Sequence, residues 1–266
     1  MKARSAFAAL LGLLALSAAA AEGPALDHMR VDVRDEASLQ SGARTFVNYC
    51  LGCHSASMMR YNRLQDLGLT EEQIKDNLLF TADKVGDVMA VAMTRNDAKT
   101  WFGAAPPDLT VIARTRGADW LYTYLRSFYR DPGTPTGWNN LLFERVAMPH
   151  VLWSLQGQTA LEVKEFKTED EAQAARLQNP TFSVLSPQGV GSARRYLLRT
   201  TRVETPGQLT PVQYDAVVHD LVNYLAWMGE PAQETRKAIG IVVLLFLSVL
   251  LVLTWLLYKS YWKDIH

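Results

Sequence analysis

Two uninterrupted apolar runs stand near the ends of the chain, and a mixed pattern of hydrophobic and polar positions lies between them. The first run, 6–16, follows the basic residues Lys2 and Arg4 and is followed by small residues, which predicts a secretory signal peptide over 1–21. The second run, 238–258, contains no charged residue. At about 1.5 Å per residue it spans a hydrocarbon core of about 30 Å, so it predicts a transmembrane helix.

The order of these two segments predicts the topology. Basic residues flank the second run almost symmetrically, so the positive-inside rule does not decide its orientation. The export signal does decide it, because it places 22–237 outside the cytoplasm as one periplasmic domain. The tail, 259–266, is then cytoplasmic. We therefore expect a single-pass protein of the cytoplasmic (inner) membrane.

Between the two runs, the spacing of apolar residues predicts helices. Residues 35–49 form one such pattern, with Asp35 as the N-cap and Gly42 leaving room for another helix to approach closely. Residues 210–229 form a second, which begins with a capping box and a proline at the first helical position. A third, short helix begins at Thr70–Gln73. We expect the first two helices to pack on each other.

The rest of the central region carries little strand signal. Three aromatic residues, Trp120, Tyr124 and Phe128, are spaced four residues apart, as on one face of a helix. They predict a helix that is ended by residues 131–133. Apart from an ambiguous run at 181–185, no segment alternates with period two, and 157–200 is polar and typical of loops. The sequence therefore predicts an all-α domain with long loop insertions.

The charge of the chain gives no indication of nucleic-acid binding, but one acidic stretch has two possible interpretations. The 266 residues contain 27 Lys+Arg and 27 Asp+Glu, so no net charge favours binding to nucleic acid. The stretch 162–171 is locally acidic. A negative surface steers a basic partner, but a solvated helix face has the same composition, so both interpretations stay open.

The chemistry of the chain is indicated by its only two cysteines, Cys50 and Cys53, which are followed by His54. Cys-x-x-Cys-His is the signature of c-type haem attachment, in which both thiols bind haem vinyl groups and the histidine ligates the iron. A thioredoxin-like redox pair requires a βαβ pattern that we do not find, and a zinc site requires further closely spaced ligands. The motif therefore predicts one covalently bound haem c.

An electron carrier of this kind needs a second axial ligand, and thioether sulfur gives the higher reduction potential. Seven methionines are candidates: Met29, Met58, Met59, Met89, Met93, Met148 and Met228. Met148 precedes a proline that favours a stiff loop, and His150 is its rival. Two arginines, Arg114 and Arg116, are natural partners for the haem propionates, although solvated surface charges explain them equally well.

These features together resemble cytochrome c1, the haem subunit of the cytochrome bc1 complex, in its bacterial form. The resemblance extends over nearly all of the chain after the signal peptide. It rests on the haem motif combined with four further features: Pro106–Leu109, Gly137–Asn140 leading to Ala147–Pro149, Tyr224–Pro231, and the single C-terminal anchor. It implies a class I cytochrome c-like haem domain.

The resemblance also implies roles for particular residues. Cys50 and Cys53 become the thioether anchors, and His54 and Met148 become the two iron ligands. Three further residues are implied to bind the cofactor: Arg116, Pro107 and Trp120. Arg116 takes the position of the family's propionate-binding arginine, with Arg114 as the alternative. Trp120, which has no hydroxyl group, stands where mitochondrial relatives have a tyrosine.

The implied function is electron transfer within a quinol–cytochrome c reductase. The chain accepts an electron from the Rieske iron–sulfur protein and passes it to a cytochrome c, beside cytochrome b in a dimeric complex, and breaks no substrate bond itself. One alternative is the haem subunit of an oxidase or a nitric oxide reductase. A second alternative is a haem sensor or peroxidase with an exchangeable sixth ligand. A third is a structural role, in which the haem only stabilises the fold. That role predicts that Met148→Leu leaves turnover of the complex intact.

Overall fold

The computed structural model describes residues 24–178, 181–189 and 194–263, and the predicted signal peptide over 1–21 lies outside the described residues. The α-helices are α1 (Glu36–Tyr49), α2 (Glu71–Asn77), α3 (Arg95–Phe102), α4 (Ile112–Arg116), α5 (Ala118–Arg126), α6 (Trp153–Gln156), α7 (Glu169–Leu177), α8 (Pro211–Gly229) and α9 (Gln233–Tyr261). The strands are β1 (Ala56–Arg60), β2 (Val88–Met89), β3 (Phe128–Arg130), β4 (Trp138–Asn140), β5 (Gly157–Phe166), β6 (Ser183–Gln188) and β7 (Arg195–Pro206). A 3₁₀ helix covers Tyr61–Leu67.

The core of the domain is built around the contact between α1 and α8. Asp35 caps α1 as predicted, and Thr210 and Gln213 form the predicted capping box at the start of α8. The two helices approach so closely at Gly42 that a Cβ atom there would lie 2.1 Å from the carbonyl oxygen of Asp220. The predicted close approach at Gly42 is therefore confirmed.

The chain before α1 is held against α8 by a buried asparagine. The Asn223 side chain is fully buried, accepts a hydrogen bond from the Asp32 amide (2.9 Å) and donates one to the Asp32 carbonyl (2.8 Å). Ser38 in α1 donates a hydrogen bond to the Asp220 carboxylate at 2.7 Å. These bonds satisfy polar groups that burial would otherwise leave without partners, so they fix the register of α1 on α8.

The aromatic stripe is not one continuous helix. Helix α5 ends at Arg126, and Phe128 belongs to β3, which pairs antiparallel with β4. The Asn140 side chain donates to the carbonyl of Tyr124 at 2.8 Å. In a continuing helix that carbonyl would accept the amide of Phe128. The expected helical run up to residues 131–133 is therefore wrong beyond Arg126.

The region expected to be loops contains a three-stranded antiparallel sheet in the order β5-β7-β6. Its register pairs Gly157 with Pro206 and Ser183 with Thr200, and α7 packs on it through the fully buried Ala172. A small cluster joins the sheet to β3 and β4: Tyr129, Leu141 and Phe182. Strands make up about 18% of the structure, so the prediction of an all-α domain is wrong.

The predicted membrane span lies within α9, the one described helix that is long and apolar enough to cross a membrane. Glu230, in the short turn between α8 and α9, binds both Arg236 at the start of α9 and Arg114 of α4. At the other end of α9, the ammonium group of Lys259 lies 4.4 Å from the Trp255 ring. Aromatic and basic side chains at this level are typical of a membrane–water interface.

We expect Gly42→Ala to destabilise the protein. The added methyl group would also lie 2.7 Å from Cβ of Tyr224. Overpacking costs up to about 3 kcal/mol and alanine regains about 1 kcal/mol of helix propensity, so the expected net loss is about 2 kcal/mol. Thermal unfolding of the full chain in detergent, followed by circular dichroism, measures it. Gly86→Ala is the control, because its Cβ would meet no atom within 4 Å; equal stability of the two variants would contradict the close-packing argument.

Candidate haem site

The two cysteines lie on a tight turn at the end of α1. Cys50 is the C-cap residue of α1, and its carbonyl accepts hydrogen bonds from the amides of Cys53 (3.1 Å) and His54 (2.9 Å). Both thiols are free rather than joined in a disulfide. Burial raises the pKa of Cys50 to about 12, whereas a redox-active thiol has a lowered pKa. The end of α1 therefore presents two thiols and one imidazole on a single turn of the backbone.

His54 is oriented by the loop before α4. Its Nδ1 atom lies 2.7 Å from the carbonyl oxygen of Pro107, which can only accept a hydrogen bond. The proton is therefore on Nδ1, and the Nε2 lone pair is free for a metal. Desolvation lowers the pKa of His54 and outweighs the bond to Pro107 and the charge of Asp108, so the ring is neutral near pH 7. A neutral imidazole with a fixed tautomer is the form that ligates iron.

Asp108 ties the Pro107 loop to the chain just after the haem motif. Its carboxylate accepts hydrogen bonds from the Ser57 amide (2.8 Å) and from the Thr110 amide (2.9 Å) and hydroxyl (2.6 Å). Desolvation raises the pKa of Asp108, but these hydrogen bonds outweigh it and leave the pKa below its ordinary value. The Leu109 amide adds a backbone bond to the carbonyl of Ser55 at 2.8 Å. The position of Pro107 relative to His54 is thus fixed by several bonds.

The methionine candidates separate by burial. Four have less than 5% of their surface exposed and lie in the main hydrophobic cluster: Met29, Met59, Met89 and Met228. Met58 is 78% exposed, and Met93 is not packed against that cluster. Met148 is half-buried and packs against the cluster, which also contains Cys50. It therefore combines contact with the core and a side chain that is only partly buried.

His150, the rival ligand, is engaged elsewhere. It is 2% exposed, its Nε2 lies 2.7 Å from Oε1 of Gln156, and its ring stacks on Phe128 at 4.9 Å. Burial lowers its pKa to about 4 and outweighs the hydrogen bond to Gln156, so it is neutral near pH 7. The ring is a packed part of the core beneath the Met148 loop.

Two asparagines that were not predicted to have a role shape the loop that carries Met148. Asn140 is fully buried and accepts hydrogen bonds from the amides of Leu142 (2.9 Å) and Phe143 (3.1 Å). Asn139 accepts one from the amide of Arg145, the only non-glycine residue in the described ranges with a positive φ (57°). The Gly137–Asn140 motif is the feature of the sequence that could have indicated this role, because two adjacent asparagines that become buried must find hydrogen-bond partners.

The two arginines have different surroundings. Arg114 forms an ion pair with Glu230 at 3.0 Å. The Arg116 guanidinium lies 4.9 Å from the centre of the Trp120 ring, and it has no ion-pair partner within the described part of the chain. Trp120 in turn stacks on Tyr124 at 4.8 Å. Of the two, Arg116 is the guanidinium that is positioned by an aromatic ring and is left free for an anion.

These residues fit a haem. Two free thiols share one turn with an imidazole, and a thioether sulfur lies on the same core cluster. A guanidinium that has no carboxylate partner among the described residues lies over Trp120. Among the described residues, no group of three or more His, Cys, Asp or Glu side chains could hold a metal ion.

Comparison with known proteins identifies the family. The model of the cytochrome C1 family matches residues 28–175 and 195–265. Cytochrome c1 of Allochromatium vinosum is 45% identical over 92% of this chain and 91% of its own length. A protein of Nitrosomonas europaea named ammonia monooxygenase gamma subunit is 48% identical over 91% of this chain and 89% of its own length. Cytochrome c1 of Rhodospirillum rubrum is 29% identical over 87% and 83%.

Fold and site together define a membrane-anchored haem protein of the electron-transfer class. The chain belongs to the cytochrome c1 family. It is of the bacterial type, and its function is that of the haem subunit of the bc1 complex. The resemblance inferred from the sequence motifs is confirmed.

We expect Asn140→Ala to destabilise the Met148 loop. The change removes the buried side chain that accepts from the amides of Leu142 and Phe143 and donates to the Tyr124 carbonyl, and the loss of these three hydrogen bonds costs roughly 2–4 kcal/mol. Denaturant unfolding of the full chain in detergent measures the loss. Asn96→Ala is the matched control, because Asn96 is exposed on α3 and alanine favours the helix. Comparable stability of both variants would show that Asn140 does not support the loop.

Proposed function

We propose that this chain carries one covalently bound haem c and relays single electrons from the Rieske iron–sulfur protein to a cytochrome c. The observation that carries the proposal is the bond between His54 Nδ1 and the Pro107 carbonyl, which leaves Nε2 free and fixed. The haem supplies a one-electron Fe(III)/Fe(II) couple. The protein breaks no substrate bond itself, and its residues attach, orient and enclose that group.

Cys50 and Cys53 are the proposed thioether anchors. Their amides and that of His54 are part of one hydrogen-bonded turn, so attachment at both thiols sets the direction of the imidazole. The cysteines follow α1 directly, and α1 is packed on α8. This arrangement of a haem-bearing first helix on a last helix supports a class I cytochrome c-like core, extended by the sheet β5-β7-β6.

His54 and Met148 are the proposed axial ligands. Imidazole and thioether together favour low-spin iron that changes charge with little rearrangement. The asparagines under the Met148 loop hold its backbone, and Asp108 holds the loop that orients His54. Fixed ligands on both sides keep the reorganisation on electron transfer small, which is what an electron relay requires.

Three more residues are proposed to contact the cofactor. Arg116 is free to bind a propionate, as a guanidinium binds a carboxylate well. Trp120 holds Arg116 by a cation–π contact and has no hydroxyl to offer the propionate. Pro107 acts through its carbonyl on His54.

The domain is proposed to face the periplasm and to be anchored in the cytoplasmic (inner) membrane. Residues 1–21 then form a cleaved signal peptide, 22–237 the periplasmic domain, 238–258 the span and 259–266 the cytoplasmic tail. Export supports this orientation, because haem is attached to the motif outside the cytoplasm. The ion pairs of Glu230 support a fixed position of the domain relative to the membrane helix, since they link Arg114 of the domain to Arg236 in the first turn of α9.

Cytochrome b and the Rieske protein are the proposed partners in the membrane, in a dimeric complex, with a cytochrome c as acceptor. Membership of the cytochrome c1 family supports these partners. The acidic stretch 162–171 lies in β5 and α7, on an added sheet rather than on the helices of the core. The proposed electron relay therefore does not depend on whether this stretch attracts a basic acceptor.

Purification from membranes in detergent tests the proposed function. We expect a c-type haem spectrum, co-purification of a cytochrome b with two haems and an iron–sulfur protein, and quinol-dependent reduction of cytochrome c. A complex without cytochrome b would instead identify an oxidase or nitric oxide reductase subunit. Ready binding of carbon monoxide to the reduced protein would contradict ligation by Met148 and favour a sensor or peroxidase.

Two arginine variants test the propionate assignment. A cation near the haem stabilises the reduced form, which carries one positive charge fewer, so Arg116→Gln should lower the reduction potential by on the order of tens of millivolts. Arg114→Gln is the matched control, because its charge is already paired with Glu230. A redox titration of the purified complex compares them. A larger fall for Arg114→Gln would reverse the assignment.

A further inference from the structure

The Tyr124 side chain makes a specific contact with the proposed sulfur ligand. Its hydroxyl lies 3.5 Å from Sδ of Met148, and only the hydroxyl can donate a hydrogen bond in that pair. Tyr124 is 8% exposed and belongs to α5, whereas Met148 lies in the loop between β4 and α6. The bond thus joins a rigid helix to the irregular segment that carries the sulfur.

Tyr124 itself is held from three directions. Its ring stacks on Trp120 at 4.8 Å with an interplanar angle of 12°, and it meets the edge of Phe128 at 5.0 Å. Its carbonyl accepts the side-chain amide of Asn140 at 2.8 Å. The same Asn140 side chain holds the amides at the start of the Met148 loop. The hydroxyl therefore has a fixed position relative to the sulfur.

From this geometry we infer that Tyr124 is a positioning residue for Met148, and that its hydrogen bond to the sulfur raises the reduction potential of the haem. This inference rests on the proposed ligation by Met148. A thioether sulfur has two lone pairs, so it could bind the iron with one and accept the tyrosine hydroxyl with the other. A hydrogen bond withdraws electron density from the sulfur, which makes it a weaker donor to Fe(III) and favours Fe(II).

A tyrosine at a different methionine provides a matched control. The hydroxyl of Tyr224 lies 3.8 Å from Sδ of Met89, and both residues are fully buried. Met89 lies in the β1–β2 pair and is not proposed as a ligand. The variants Tyr124→Phe and Tyr224→Phe therefore remove the same chemical contact at a proposed ligand and at a core methionine, and both keep the aromatic ring.

Redox titration and absorption spectroscopy of the purified complex test the inference. We expect the ferric wild-type protein and Tyr124→Phe to show the charge-transfer absorption that sulfur ligation gives to haem iron. A hydrogen bond of ordinary strength predicts that Tyr124→Phe lowers the reduction equilibrium constant roughly threefold to tenfold, which is about 28–59 mV for one electron. Tyr224→Phe should leave the potential unchanged.

Repeating the Tyr124→Phe substitution in a Met148→His protein distinguishes the loss of the hydrogen bond from a general effect on folding. In Met148→His, the ligating nitrogen has no second lone pair to accept the hydroxyl, so the lowering caused by Tyr124→Phe should disappear. An unchanged potential in Tyr124→Phe with the charge-transfer absorption retained would overturn the inference and leave the ligation by Met148 standing. Equal shifts in Tyr124→Phe and Tyr224→Phe would also overturn it. Absence of the charge-transfer absorption from the wild-type protein would overturn the ligand assignment itself.

Discussion

The close contact of α1 with α8 at Gly42 is the constraint on which the rest of the structure depends. It fixes the position of α1, whose last turn leads directly into Cys50, and of α8, whose end leads through Glu230 into the membrane helix. The turn of the Cys-x-x-Cys-His motif and the predicted membrane helix are thereby connected through one rigid pair of helices. A side chain larger than hydrogen at position 42 would separate those helices and disturb both ends together.

The parts of the fold that could be predicted are those whose signals lie within a few residues of one another. Asp35 and the Thr210–Gln213 box specify helix starts by local hydrogen bonds, and the apolar run 238–258 specifies a membrane helix by length alone. The sheet could not be predicted, because β5 pairs with a strand about forty residues away. Its alternation is also hard to read, since Leu161 and Val163 point outward and are 38% and 49% exposed.

The same distinction applies to the site. Cys50, Cys53 and His54 are adjacent in sequence, so their shared chemistry is visible without a structure. The contacts around Met148 are made by residues of α5 and β4, and they depend on where α5 ends. That end is decided by Asn140, which takes the Tyr124 carbonyl away from the helix. A helical stripe cannot reveal such a competition, because the competing donor lies sixteen residues further along the chain.

The contacts of the two proposed ligands would act on a bound iron in opposite directions. The Pro107 carbonyl accepts the proton of His54 Nδ1, which makes Nε2 a stronger donor and would favour Fe(III). The Tyr124 hydroxyl donates to the Met148 sulfur, which makes the sulfur a weaker donor and would favour Fe(II). One contact comes from the loop before α4 and the other from α5. With this pair of ligands, the reduction potential would depend on the balance between Pro107 and Tyr124, and a change at either position would alter it without any change of ligand.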